Sequence, residues 1–372
     1  MRFSLLNAQG LISKRTNKLN SPELQHIFNT SDVVLFTESW TDENAELSIN
    51  NFEHFVLNRK LIKPGSRRNS GGLVLYLRNT FVSNDTLVFT SEDDFLWIKI
   101  SKTVLFSQKD LYVCLCYVTP DDSSRQSMVE TNIFDRLLDS VAHIENNSVN
   151  NCSILACGDW NARTSVNPDF VEDDDPVHMS VLPDEYIPDV QLPRYSEDKG
   201  HVNNNGLCLL DFCKQTGLRI MNGRVGDDKG IGQYTFVGSR GSSVVDYVLC
   251  TQDLFRNVCH FKVHEPNILS DHCLLTFSFD FQMLSARETI ENDYEQVSGR
   301  FVWNRDYKEE FLNSLKTTDT TERLSELNAR IPSCAENNGI EQCLADFNNI
   351  IEHAASPMFK ESFNPPNDSE RI

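Results

Sequence analysis

The chain has 372 residues, enough for one large α/β domain and an appendage. With 40% hydrophobic and 24% charged residues it reads as soluble and globular, and no run approaches the roughly 18 consecutive apolar residues of a membrane span. The formal net charge of −20 slows encounter with a polyanion, but it leaves room for local binding where a cation and a few basic side chains face the phosphate.

The chain opens on an apolar run, Phe3–Leu6, that reads as a strand and passes directly into Asn7-Ala8-Gln9-Gly10. No signal-peptide cleavage pattern is present, so an intracellular protein, nuclear or cytoplasmic and not secreted, is expected. Ser21-Pro22-Glu23 combines an N-cap, a first-turn proline and an early acid, and opens a helix toward Phe28. Val33–Phe36 is the next strand, with Glu38 just beyond it. Arg67 and Arg68 precede Ser70-Gly71-Gly72, which leads into a strand at Leu73–Leu77. Strands follow at Phe95–Ile100 and Leu111–Tyr117, then a helix in which Phe134, Leu137, Leu138 and Val141 repeat at helical spacing. Ser153–Cys157 runs into Gly158-Asp159-Trp160-Asn161. Val166 to Asn205 is polar, acidic and proline-containing, and reads as a long surface loop. Leu207, Leu210 and Cys213 mark a helix that Gly217 ends. The last strands are Leu218–Met221, Val244–Leu249 with Asp246 inside it, and Cys273–Phe281, which Ser270-Asp271-His272 precedes.

Strand-like runs stop near residue 282. Phe311, Leu312, Leu315, Leu324, Leu327, Ile350 and Ile351 suggest short helices. The expected division is therefore a catalytic domain over 1–282 and a helical, partly disordered linker over 283–372. Eleven cysteines, none in a Cys-x-x-Cys pair, read as free and mostly buried thiols in a reducing compartment, without zinc-ligand spacing.

Taken singly, the polar residues at the strand ends have ordinary explanations: Asn and Asp commonly turn a chain after a strand. Taken in order, Asn7, Thr37-Glu38-Ser39-Trp40, Tyr117-Val118-Thr119-Pro120, Gly158-Asp159-Trp160-Asn161-Ala162-Arg163, Thr235-Phe236, Asp246-Tyr247 and Ser270-Asp271-His272 form a constellation. It resembles the endonuclease/exonuclease/phosphatase superfamily. Within it, Leu218 to Asp227 and Gly241 to Tyr247 are similar to phrases of LINE-type retrotransposon endonucleases, and the Trp-Cys-Asp-Arg motif of inositol phosphatases is missing. Phe301-Val302-Trp303-Asn304 resembles the linker that precedes a reverse transcriptase in such elements, but no Tyr-x-Asp-Asp signature follows, so no reverse-transcriptase module is expected.

The resemblance implies an α/β fold, a four-layer α/β/β/α sandwich (DNase I-like), with a small helical C-terminal appendage. It implies Mg²⁺, with Mn²⁺ as the alternative, bound by Glu38, Asn7 and Asp271, and DNA as the partner. Hard cations take oxygen ligands and retain water, so few carboxylates are needed. Asp159 would activate water, Asn161 would donate to the phosphate and help to hold Asp159, and Tyr117 would offer its phenol to the phosphate. His272 would contact a phosphate oxygen, with Asp246 fixing its ring and favouring its charged form. Asp271 joins this catalytic set. Thr235, Ser270, Arg67 and Arg68 are the expected substrate contacts, the arginines for their planar fit to phosphate. The alternatives are another phosphoesterase of this fold, acting on a small or lipid phosphate, and a silent fragment that only binds nucleic acid or protein.

An acidic protein that engages DNA through few contacts should show a shallow salt dependence, since each phosphate contact adds about −0.9 to the slope of log K against log salt. Replacing Arg67 and Arg68 together by alanine should weaken binding across sequences and flatten that slope by up to about two. Binding isotherms at several salt concentrations measure this, and an unchanged slope would assign both arginines to a solvated turn.

Overall fold

Val33, Val34, Leu35 and Phe36 are all buried, on both faces of one strand. A strand of this kind needs apolar cover on each side, so its sheet must lie between two other layers. The computed structural model describes residues 1–12, 16–58, 71–90, 94–121, 132–148, 152–172, 189–239, 241–281, 308–336 and 340–359. In chain order its strands are β1 (Arg2–Asn7), β2 (Val33–Thr37), β3 (Phe52–Leu57), β4 (Leu73–Arg78), β5 (Leu87–Thr90), β6 (Phe95–Ile100), β7 (Asp110–Tyr117), β8 (Cys152–Asp159), β9 (Arg219–Ile220), β10 (Phe236–Gly238), β11 (Gly241–Ser243), β12 (Asp246–Cys250), β13 (Val258–Val263) and β14 (Leu275–Phe279). The helices are α1 (Pro22–Thr30), α2 (Lys102–Leu105), α3 (Ile133–Ser148), α4 (Asn204–Thr216), α5 (Gln252–Phe255), α6 (Lys308–Ser314), α7 (Thr318–Glu336) and α8 (Ile340–Phe359).

Two six-stranded sheets form, in the orders β13-β14-β1-β2-β4-β3 and β5-β6-β7-β8-β12-β9, and β10-β11 is a separate hairpin. Each large sheet has one parallel pair, β1 with β2 and β7 with β8, and antiparallel neighbours elsewhere. A helix carries the chain between the strands of each parallel pair, as parallel neighbours require. Phe3, Leu5 and Leu35 of the first sheet meet Ile98, Val113 and Leu155 of the second in a shared inner core. The alternate residues face outward. Leu6, Val34 and Phe36 pack beneath Leu24, Ile27 and Phe28 of α1. Cys114, Ile154 and Ala156 pack beneath Phe134, Leu137 and Val141 of α3 and Phe212 and Cys213 of α4. The result is the four-layer α/β/β/α sandwich.

Local signals hold where the structure can be compared with them. Ser21 accepts the Leu24 N–H at 3.2 Å to cap α1, and Gly217 ends α4 in the left-handed region. Leu207 departs from the expected helical stripe: it faces solvent, and Leu209, Leu210, Phe212 and Cys213 form the buried face instead. Strands β3, β5 and β13, three of the four edges of the large sheets, carry no strong sequence signal, whereas the fourth, β9, lies within the run read at Leu218–Met221. Nine described cysteines are free, whereas Cys343 is disulfide-bonded, contrary to the free-thiol expectation.

The segment read as a surface loop is tied down in its described parts. Asp169, Arg194, Ser196 and Asp198 are all buried. Arg224 grips Asp169 with two bonds of 2.6 and 2.5 Å, and the Ile220 N–H adds a third at 2.9 Å. Arg219 pairs with Asp189, and Arg163 forks onto Asp198 at 2.9 and 2.5 Å. Polar composition thus marks buried anchoring here as well as exposure.

The chain forms two compact units, Met1–Glu291 and Asn292–Ile372. In the second, α7 and α8 are joined by an Arg330–Asp346 ion pair, and Leu327 and Ile350 are buried. These two helices have 19 and 20 residues, longer than the short helices expected. Among the described residues, no helix is long and apolar enough to cross a membrane.

Replacing Arg224 by Met should destabilise the first unit by about 3–5 kcal/mol, because it strands a buried carboxylate. Burial alone pushes Asp169 upward, but the Arg224 hydrogen bonds and charge outweigh it and hold the group below its ordinary 3.8. A depressed carboxylate stabilises fully above its unfolded pKa and loses this as pH falls through its folded one. Denaturant midpoints should therefore differ between wild type and variant at pH 7, and the gap should narrow as pH falls, first as the unpaired Asp169 of the variant takes a proton above 3.8 and then as the wild-type group does so below it.

Candidate active site

Strand register decides which side chains meet. In the first sheet Asn7 lies beside Thr37, so Glu38 is the next residue out. In the second, Asp159 lies between Tyr117 on β7 and Asp246 on β12. His272 precedes β14, the antiparallel neighbour of β1. Asn7, Glu38, Tyr117, Asp159, Asp246 and His272 thus fall at one edge of the sandwich. Gly158 permits the approach to β7: a Cβ there would lie 1.9 Å from the Cys116 carbonyl oxygen.

The Asn7 amide joins the sheets. Its Nδ2 donates to Asp159 Oδ2 at 2.8 Å and to Glu38 Oε1 at 3.1 Å. The other Glu38 oxygen accepts the Trp40 indole N–H at 3.1 Å. Glu38 and Trp40 both have left-handed backbones, φ 49° and 53°, which side chains with a Cβ seldom adopt. Gly10 makes room for the indole, since a Cβ there would lie 2.5 Å from Trp40 Cε3. Asp159 Oδ1 accepts the Asn161 N–H at 3.0 Å.

Opposite stands the His272–Asp246 pair, with Nδ1 2.8 Å from Asp246 Oδ2. Burial disfavours the imidazolium, but the Asp246 charge and hydrogen bond, with Asp159 and Glu38 behind them, raise His272 to about 9. Its Nδ1–H therefore donates to Asp246, and Nε2 carries the second proton. Burial and the Asp246 charge push Asp159 above its ordinary value, and His272 counters them only in part.

Oxygen atoms of Asp159 and Asp246 and a ring nitrogen of His272 lie within 4.8 Å of one another, close enough to share a cation. A histidine held charged by its partner is a poor ligand, however, because metal binding requires the neutral ring. Glu38 and the Asn7 amide oxygen suit a hard cation better. Two features support a cation here. Glu38, Asp159 and Asp246 are gathered around one imidazolium, and Asp246 Oδ1 is buried without a hydrogen-bond partner.

Residues 6–272 match the Endonuclease/Exonuclease/phosphatase family. The chain belongs to this family. The AP endonuclease LMAP from Leishmania major has a similar fold, with TM-score 0.52 and 14% identity over 75% of this chain and 87% of that one. The 3′-5′ exonuclease NExo from Neisseria meningitidis gives 0.49 and 15%, over 75% and 100%. The endonuclease domain of TRAS1, a telomere-specific non-LTR retrotransposon, gives 0.43 and 17%, over 76% and 99%. No curated protein matches the sequence.

Several expected site residues of this family member have other roles. Thr235 is fully buried, and its hydroxyl accepts the Val245 and Asp246 N–H groups at 3.0 and 2.9 Å, so it braces Asp246 and is out of a substrate's reach. The Ser270 hydroxyl accepts the His272 N–H at 3.1 Å and turns the chain. Asp271 is exposed and stands outside the three-residue cluster, which weakens its place among the ligands. Asn161 holds Asp159 through its backbone, while its side chain donates to Val118 O at 2.8 Å. Tyr117 is largely buried in the inner core, beside Asp159. Arg67 and Arg68 lie outside the described residues.

Other contributors carry no spacing signature. Asn203 caps α4 and donates to Asn161 O at 2.8 Å, while Asn205 donates to Thr119 O at 3.0 Å. Together they fix the backbone behind Asp159. The triple asparagine hides this division in the sequence.

In metal-free protein, His272 should titrate near 9 by NMR. Replacing Asp246 by Asn should lower that value markedly, because the dominant raising charge is removed. An unmoved titration would show that Asp246 is not the group that keeps the ring charged.

Proposed function

We propose that the chain is a divalent-metal-dependent phosphodiesterase that nicks DNA and leaves a 3′-hydroxyl, and that it is the endonuclease of a non-LTR retrotransposon. The observation that carries the chemistry is Asp159, buried and held by Asn7 and Asn161 across from the His272–Asp246 pair. The retrotransposon assignment rests on the phrases at Leu218 to Asp227 and Gly241 to Tyr247. We assign the activity to residues 1–282, read 283–372 as a helical linker, and place the protein inside the cell.

Phosphodiester hydrolysis needs an activated water, a neutralised phosphate and a stabilised leaving oxygen. Asp159 takes the proton from the attacking water, and its raised proton affinity suits a general base. The hydrogen bonds from Asn7 and Asn161 keep its carboxylate in one orientation. His272 offers Nε2–H to a phosphate oxygen while Asp246 fixes the ring. Tyr117, beside Asp159 on β7, is the further donor assigned to the phosphate. Mg²⁺ or Mn²⁺, held by Glu38 and Asn7, would supply the charge neutralisation that a dianionic transition state requires.

Supercoiled-plasmid nicking with and without Mg²⁺, beside a phosphatase assay on small phosphates, tests the reading. Nicking only with metal supports it. Turnover of small phosphates alone would favour a phosphatase, and inactivity in both would favour a silent binding fragment.

Glu38→Ala and Asp159→Ala should both abolish nicking, but for different reasons. Loss of Glu38 weakens metal binding, so excess Mg²⁺ should restore part of the rate. Loss of Asp159 removes proton transfer, worth on the order of 10²–10⁴-fold, and metal should restore nothing. Identical metal titrations would contradict this division of roles.

A further inference from the structure

The β1–β14 ladder runs from Arg2 opposite Ser278 to Leu5 opposite Leu275 and stops there. Asn7 and His272 lie beyond its last pair, where no β1–β14 pairing sets their separation. What joins the two loops is Lys18. Its Nζ donates to Ala8 O and to Leu269 O, both at 2.6 Å, with Gln9 O at 3.5 Å. One ammonium thus grips the carbonyl next to Asn7 and the carbonyl three residues before His272. A second link runs alongside, as Gln9 Oε1 accepts the Asp271 N–H at 3.2 Å. Gln9 is itself left-handed, φ 45°, and its N–H donates to Asn7 Oδ1 at 3.1 Å.

Lys18 is well placed to act as a fixed post. It begins a 3-10 turn capped by Asn17, its N–H donates to Leu11 O at 2.9 Å, and the next residue, Leu19, is buried in the outer core. An ammonium has three donors. Here two make short bonds and the third faces a more distant carbonyl, so little remains for a phosphate. Among the described residues no carboxylate forms an ion pair with it. A lysine so spent on backbone carbonyls is spent on geometry.

We propose that Lys18 is a positioning residue that sets the spacing between the Asn7–Glu38 side of the site and the His272 side. Its kinetic consequence rests on the nuclease reading above, whereas the structural clamp does not. Two measurements separate them. Hydrogen exchange in Lys18→Met, which keeps the stem and loses the charge, should speed up by about tenfold at the Gln9 and Asp271 amides and stay unchanged in the middle of β1 and β14. Nicking by the same variant should lose on the order of 10²-fold in kcat, with KM little changed, as misplacement of reacting groups predicts. In Lys18→Ala, ethylammonium or propylammonium should restore part of the rate, and propanol should not. Unchanged exchange at both amides in Lys18→Met overturns the clamp. Nicking within twofold of wild type, or rescue by propanol equal to that by the amine, overturns the positioning role. If the wild type does not nick, the nuclease reading fails and the exchange measurement still decides the clamp. If Lys18→Ala does not fold, the isosteric Met variant carries both measurements.

Discussion

The Asn7–Asp159 hydrogen bond links one sheet to the other at the polar edge of the sandwich. The site depends on it because Glu38 and Asp159 come from different sheets and share no strand register. A single neutral amide donates to both carboxylates. That arrangement orients the two acids without cancelling their charge. Asp246 adds a third carboxylate, and His272 alone among the ring of side chains described around them answers with a positive charge. The raised proton affinity of both Asp159 and His272 is the electrostatic signature of that imbalance. A hard cation near Glu38 would relieve it and leave Asp159 free to exchange a proton.

The legible parts of the fold are those where burial acts on both faces of a strand. Val33–Phe36, Phe95–Ile100 and Leu111–Tyr117 are flanked on both sides, apolar apart from Lys99, and correctly bounded to within a residue. Three of the four edge strands of the large sheets, β3, β5 and β13, escape this reading, whereas β9 does not. In β3, Glu53 and His54 interrupt the run, and in β13 His260 and Lys262 do the same. Polar residues are tolerated there because one side of an edge strand lacks a neighbour. The site shows a similar split. Asn7, Glu38, Asp159, Asp246 and His272 meet through their own side chains, and each stands out at the end of, inside or just before an apolar run. Lys18, Gln9, Asn203 and Asn205 act through carbonyls and amides, and no spacing betrays them. Thr235 and Ser270 are visible too, but a hydroxyl that braces a backbone and one that meets a substrate look alike in sequence.

The acidic charge of the chain bears on how its basic residues are used. In the first unit Arg2, Arg78, Arg136, Arg163, Arg219 and Arg224 are each ion-paired with an aspartate, and Arg194 is buried. Several of these pairs tie the acidic segment before α4 to the strands beneath it. Their carboxylates are the very residues that make the sequence look hostile to a polyanion. Once paired they contribute little field at the surface, because the two charges cancel within a few ångströms. The pairing leaves the net charge of −20 unchanged, since each pair removes one charge of each sign, so the repulsion a phosphate meets comes from the unpaired carboxylates. By the same argument these arginines are unavailable as phosphate contacts. Among the described residues of the site, His272 is then the side chain whose charge faces the carboxylates, so the charge balance of the site falls on few groups.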